Sequence, residues 1–270
     1  MKKSSHPELT ASGVLGTIAK LVRLVDIDWS YWQCPTNNVT ARRNLAEYLK
    51  AGCPKVNTDG ELVTNQLSEG HELASLILRD DFLSPEDVAK VYGWNYSNEQ
   101  LENFNETLPE FDELMWLKNN GYMLVAGPST ELNLLQVRDL DNQLFYSKTE
   151  VWYVEDKHKF SSDDKVTAGQ WLAVRKEAVP NSFGKNWSEQ QELIKEIEYV
   201  PNASEVSYAI TVYYKVRSIY LLRGKYVRTS SVDADGHSVH VGNFDEEGLV
   251  VGGYWGGGRG GFLGVSSARK

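Results

Sequence analysis

Two acidic turns near the C-terminus constrain the fold of this 270-residue chain more than any other feature. Asp233-Ala234-Asp235-Gly236 and Asp245-Glu246-Glu247-Gly248 each end on a glycine that can adopt positive φ. They separate three runs rich in apolar residues, Tyr226–Val232, Val239–Phe244 and Leu249–Val251. Strands joined by tight turns pair with their sequence neighbours, so the pattern predicts an antiparallel meander of three or four strands with one dry face. Just upstream, Tyr208, Ile210, Val212, Tyr214 and Val216 alternate with Thr211, Lys215 and Arg217, which predicts another strand over 206–216.

The first half reads differently. Ser84-Pro85-Glu86-Asp87 combines a cap serine, a first-turn proline and an acid three residues after the cap, and Ser97 with Gln100 repeats the capping pattern. These signals predict two short helices around Gly93. Glu69 to Leu78 and a segment opened by Thr107-Leu108-Pro109-Glu110 read as further helices, as do Leu15–Val25 and Ala41–Ala51. Tyr122–Ala126 and Trp171–Lys176 read as buried strands, Leu144–Tyr146 and Glu150–Glu155 as short aromatic strands, and Trp187–Ile197 as a helix. The expected class is α+β: a helical N-terminal region, residues 1–125, packed on or joined to a C-terminal domain, residues 126–270, that carries the meander and a glycine-rich terminal loop.

Charge limits the partners. The formal net charge is −9, which repels phosphate backbones and disfavours nucleic acid without excluding a local basic groove. No run is long and apolar enough for a membrane span, and Lys20 and Arg23 interrupt the only early apolar stretch, so a cytoplasmic location is expected. Cys34 and Cys53 lie outside any CxxC pair. No cofactor is implied.

Several groups are candidates for chemistry. Ten glycines fall between Gly242 and Gly264, around Tyr254, Trp255 and Arg259, but without the order of a phosphate-cradling loop. A basic set (Lys215, Arg217, Arg223, Lys225, Arg228, Arg259, Arg269 and Lys270) is interleaved with Tyr213, Tyr214, Tyr220, Tyr226 and Trp255, as an aromatic, cationic recognition surface requires. His237 and His240 are three apart and would face opposite sides of a strand, a poor metal pair. Asp233-x-Asp235-Gly236 opens like a calcium loop but lacks the later acid, so it reads as a plain turn, and no metal is expected. His237, Asp235 and Ser230 or Ser231 can be drawn as a triad. Arg175, Tyr226, Arg228, His237, Tyr254, Trp255 and Arg259 form the expected binding set.

Residues 171–183, 226–232 and 263–270 resemble an uncharacterised bacterial protein family found in poorly cultured lineages. Phe82-Leu83-Ser84-Pro85-Glu86-Asp87, followed by Tyr96 and Glu99-Gln100-Leu101, resembles its N-terminal part. The likeness spans roughly 80–270 and implies a bacterial, cytoplasmic protein, with no catalytic residues to carry over. At Trp255-Gly256-Gly257-Gly258 the chain departs from a more acidic pattern. The function expected is a non-enzymatic binding or accessory module that contacts a protein or small polar ligand. The alternatives are a hydrolase acting on a sugar or phosphate-containing substrate and a single-stranded nucleic-acid binder.

Overall fold

The computed structural model describes residues 69–148 and 151–270. The expected helices at 15–25 and 41–51, both cysteines and the first residue of the expected 150–155 strand lie outside them. Eight α-helices occur among the described residues: α1 (Glu69–Leu78), α2 (Pro85–Tyr92), α3 (Asn98–Glu106), α4 (Phe111–Asn119), α5 (Leu134–Leu140), α6 (Phe160–Asp163), α7 (Trp187–Gln191) and α8 (Ala203–Arg217). The class is α+β, as expected. No helix of the described residues is long and apolar enough to cross a membrane.

The strands form two main sheets. The first contains β1 (Phe82–Leu83), β2 (Tyr122–Ala126), β5 (Trp171–Arg175), β6 (Glu198–Tyr199) and β11 (Ala268–Arg269), in the order β1-β2-β5-β11-β6. Its centre is the antiparallel pair β2–β5, with Tyr122 opposite Arg175 and Ala126 opposite Trp171. The second contains β7 (Tyr226–Val232), β8 (Ser238–Gly242), β9 (Val250–Tyr254) and β10 (Leu263–Val265), in the order β10-β7-β8-β9. β7, β8 and β9 are the meander, and β10 joins β7 in parallel. A two-stranded ribbon of β3 (Leu132–Asn133) and β4 (Lys165–Val166) completes the set.

Local sequence explains the helix starts. Ser84 accepts from the Asp87 amide at 3.1 Å while Asp87 returns the bond to the Ser84 amide at 3.1 Å, and Gly93 ends α2 in the left-handed region at φ 69°. Ser97 and Gln100 form the same reciprocal box at α3. The expected strands at 144–146 and 150–155 are absent: Asn142–Leu144 and Trp152–Val154 form 3-10 turns, and Phe145 makes only a single bridge to Leu249.

The expected strand over 206–216 is helix α8. Asn202 caps it and Glu205 closes the box, a signal in Asn202-Ala203-Ser204-Glu205 that the alternating pattern masks. Ala203, Ser204 and all eight residues from Val206 to Tyr213 are buried. A helix buried all round shows no apolar stripe, so its periodicity is lost. Core residues of α8, of the first sheet (Val125, Val174) and of the second (Val227, Val239, Val241) belong to one cluster. A second cluster joins α1 and α4 (Ala74, Leu114, Leu117) to Tyr122, Leu124 and Ala173 of the first sheet. β2 therefore has apolar neighbours on both faces, which explains its uninterrupted Tyr-Met-Leu-Val-Ala run.

The expected boundary at 125/126 falls on the last residues of β2. The described residues form one compact unit, because β2 from one side of that boundary pairs with β5 from the other. Tyr208 reinforces this. Its hydroxyl, fully buried on α8, donates to the Ala126 carbonyl at 2.8 Å. Tyr208→Phe leaves that acceptor without its buried donor and is expected to lower unfolding free energy by about 1–1.5 kcal/mol, read as a shifted urea midpoint at constant slope.

Candidate functional site

Cross-strand register gathers part of the expected set on one face of the second sheet. Tyr226 lies opposite Gly242, Arg228 opposite His240, His240 opposite Gly252, and Ser238 opposite Tyr254. Partners in register point to the same side of a sheet, so Tyr226, Arg228, His240 and Tyr254 share a face while the valines 227, 239, 241 and 251 occupy the other. The glycine-rich segment 255–262 and α7 close over this face through hydrogen bonds: the Trp187 amide donates to the Gly256 carbonyl at 2.8 Å and the Gly184 amide to the Gly260 carbonyl at 3.0 Å.

Arg228 is the post on which that segment rests. It is fully buried, and its guanidinium donates to Gln190 Oε1 at 2.7 Å, to the Gly258 carbonyl at 2.9 Å, and to the Trp255 and Lys185 carbonyls at 3.3 Å each. All four acceptors are neutral. The Tyr254 ring lies 5.5 Å from the guanidinium carbon, within cation–π range. Burial lowers the Arg228 pKa, yet a guanidinium stays charged at any physiological pH. Gln190 extends the tie, donating through Nε2 to the Ser182 and Leu263 carbonyls at 2.8 and 2.9 Å. Loop, α7 and β10 are thus fastened to one buried cation.

His240 sits beside it. Burial, and then the Arg228 charge, push its pKa down to about 4, so the imidazole is neutral. Tyr226 packs edge-on at 5.0 Å. A Cβ on Gly252 would fall 2.6 Å from His240 Nε2, so β9 needs glycine where the imidazole crosses it.

Trp255 and Phe262 remain outside, 59% and 56% exposed. A Cβ on Gly257 would meet the Trp255 six-membered ring at 2.3 Å, and one on Gly258 would meet its Nε1 at 2.8 Å. The indole therefore lies against bare glycine backbone with its remaining surface open to solvent. Arg259, half-exposed and four residues on from Trp255, pairs with Glu189 of α7 at 2.7 Å.

Two of the expected residues do not join this group. Arg175 belongs to the first sheet, 5.8 Å from the Tyr122 ring. His237 stands in the β7–β8 turn, its Nδ1 3.4 Å from Asp233 Oδ2. Ser231 is taken out of the drawn triad, because its hydroxyl bonds to Asp164 and receives the Ala203 amide. The basic set does not form a cationic face either. Lys215 pairs with Asp141, Arg217 with Asp87, Arg223 with Glu246, Lys225 with Glu177 and Arg269 with Glu113.

Sequence reasoning missed Gln190 and His240 as parts of the frame. It also missed the convergence of Asp233, Asp235 and His237, whose candidate ligand atoms lie within 4.8 Å of one another. An Asp-x-Asp-x-His spacing across a hairpin turn was the available signal. Two open grooves, of about 660 and 510 Å3, lie elsewhere, along α3, the start of α4 and residues 168–173. No protein-family model, curated protein or solved structure matches this chain.

Proposed function

We propose that this chain is a bacterial, cytoplasmic, non-enzymatic binding module whose contact surface is the glycine-rich loop, with Trp255 as its anchor and Phe262 and Arg259 beside it. The reading rests on one observation: the Trp255 indole lies on the glycine backbone of a loop tied down by a buried arginine. A fixed, exposed aromatic loses little conformational freedom on binding and offers a flat apolar face to a sugar ring or an apolar side chain. The ion pair of Arg259 and Glu189 adds a donor from the same loop and an acceptor from α7. This chemistry fits a protein or a small polar ligand. Six of the eight cations of the basic set pair with acids and Arg228 is buried on neutral acceptors, which speaks against a single-stranded nucleic-acid binder.

The test is a screen of the full chain against printed oligosaccharides and, separately, linear peptides, with hits measured by tryptophan fluorescence. Trp255→Ala is expected to weaken the hits at least about tenfold, equivalent to about 1.4 kcal/mol, while leaving the unfolding midpoint nearly unchanged. Gly257→Ala lifts the indole from its seat and acts in the same direction. Ligands that bind Trp255→Ala as tightly as the parent would remove Trp255 from the contact surface and end the proposal.

A further inference from the structure

The β7–β8 turn brings together groups that neither the glycine-rich loop nor Arg228 uses. Asp233 is the key residue, its side chain only 6% exposed. Its Oδ1 accepts the amides of Asp235 and His237 at 2.9 Å each, which fixes the carboxylate plane. Its Oδ2 takes part in no hydrogen bond among the described residues and faces His237 Nδ1 at 3.4 Å. That pair and a ligand atom of Asp235 stand together at the mouth of the turn.

We propose that Asp233 Oδ2, an Asp235 carboxylate oxygen and His237 Nδ1 form a binding site for a divalent transition cation of the Zn2+ class. One potential ligand atom from each of the three residues already lies within 4.8 Å of the others, and Asp233 Oδ2 and His237 Nδ1 are 3.4 Å apart. Zn2+ bonds of about 2.0–2.1 Å in tetrahedral geometry set a ligand-to-ligand edge of about 3.3 Å, close to the Asp233–His237 separation, so binding requires little rearrangement. Asp235 is exposed and His237 43% exposed, which opens a path for the ion and leaves its remaining positions to water.

The surroundings fit the same reading. A Cβ on Gly253 of β9 would fall 2.6 Å from Asp233 Oδ2, so glycine at 253 keeps that oxygen uncovered. Buried His158 steadies the turn from behind, its Nδ1 accepting the Ala234 amide at 3.3 Å. Lys157 acts on Asp235 from the neighbouring loop, but its ammonium is held by Glu155 at 2.8 Å. Imidazole nitrogen with two carboxylates suits a borderline transition ion. Ca2+ takes six to eight oxygen ligands and Mg2+ keeps most of its waters, so neither is favoured.

The test uses the full chain, stripped with EDTA and titrated calorimetrically with ZnCl2, and in parallel with CaCl2 and MgCl2. One Zn2+ site of micromolar affinity is expected, with no comparable Ca2+ or Mg2+ binding. Co2+ substitution should add visible ligand-field absorption. His237→Ala should weaken the Zn2+ site at least about tenfold, as should Asp233→Asn, which keeps the turn-forming acceptor but loses the charge. Circular dichroism of both variants checks that the fold is retained. Absence of Zn2+ binding, or a site of undiminished affinity in both folded variants, overturns the assignment; the latter result would place the metal on other residues, such as the cysteines at 34 and 53. Because the probe is the metal alone, the outcome is independent of whether Trp255 binds a ligand.

Discussion

Replacing Arg228 by methionine is expected to lower the unfolding free energy by about 2–4 kcal/mol and to loosen residues 255–258 in particular. Two effects oppose each other. Removing the guanidinium recovers the desolvation of a buried cation that has no counter-charge, worth several kcal/mol in favour of the variant. It also leaves Gln190 Oε1 and the Gly258 carbonyl buried without donors, and the Trp255 and Lys185 carbonyls half-buried without theirs. Each stranded acceptor costs about 1–3 kcal/mol, so four of them outweigh the recovered desolvation. Lysine should not rescue the loss. It retains the buried charge but not the planar fork that reaches Gln190 with one nitrogen and Gly258 with the other. Urea denaturation should therefore place Arg228→Lys at or below Arg228→Met, and amide exchange at Gly258 should accelerate in both. A methionine variant as stable as the parent, with unchanged exchange at Gly258, would show that the loop is held by something else.

The same residues show what could be read from the sequence. The meander was legible because two acidic turns ending in glycine fix local pairing without reference to the rest of the chain. The capping boxes at Ser84 and Ser97 were legible for the same reason, since every atom involved lies within four residues. α8 was not, because burial on all sides leaves no polar face to mark a helical period, and the alternation of Tyr208, Ile210 and Val212 imitates a strand. The helix start at Asn202 and Glu205 was present but outweighed. The domain boundary failed on long-range pairing: nothing local in Tyr122–Ala126 reveals that its partner is Trp171–Arg175. Within the site, Tyr226 and Arg228 share a face by strand alternation alone, whereas Tyr254 lies beyond the expected strand Leu249–Val251 and joins them only because β9 runs on to it. That Arg228 faces inward, and that two of its four acceptors are carbonyls from a loop about thirty residues later, depends on how the glycine-rich segment folds back. The number of its glycines is plain in the sequence, but their role as a seat for Trp255 depends on the fold of the loop.

His240 carries the second large prediction, a loss of stability in mild acid. Its pKa falls from 6.5 in the unfolded chain to about 4 in the fold, so below pH 6.5 the unfolded state takes up a proton that the folded state refuses. The stabilisation is complete above pH 6.5 and is lost as the pH falls toward 4, amounting to about 3 kcal/mol over that window. The groups facing the imidazole are Arg228 from β7, which opposes its protonation, and Tyr226, which is neutral in this range; Gly252 from β9 brings no charge. His71, also lowered by burial, adds a contribution of the same sign. Glu205 acts the other way, because burial raises its carboxyl pKa and favours the fold in acid. A comparison with His240→Gln isolates the histidine from these two. The variant cannot take up the proton in either state, so its stability relative to the parent should improve by about 2–3 kcal/mol between pH 7.5 and pH 4.5. In Arg228→Met the cationic opposition is gone but burial, the larger cause, remains, so the histidine's acid slope should be shallower rather than absent. Parallel stability curves for the parent and His240→Gln across that range would mean that His240 protonates as readily in the fold as in the unfolded chain, and that the face beneath the loop is wetter than its packing indicates.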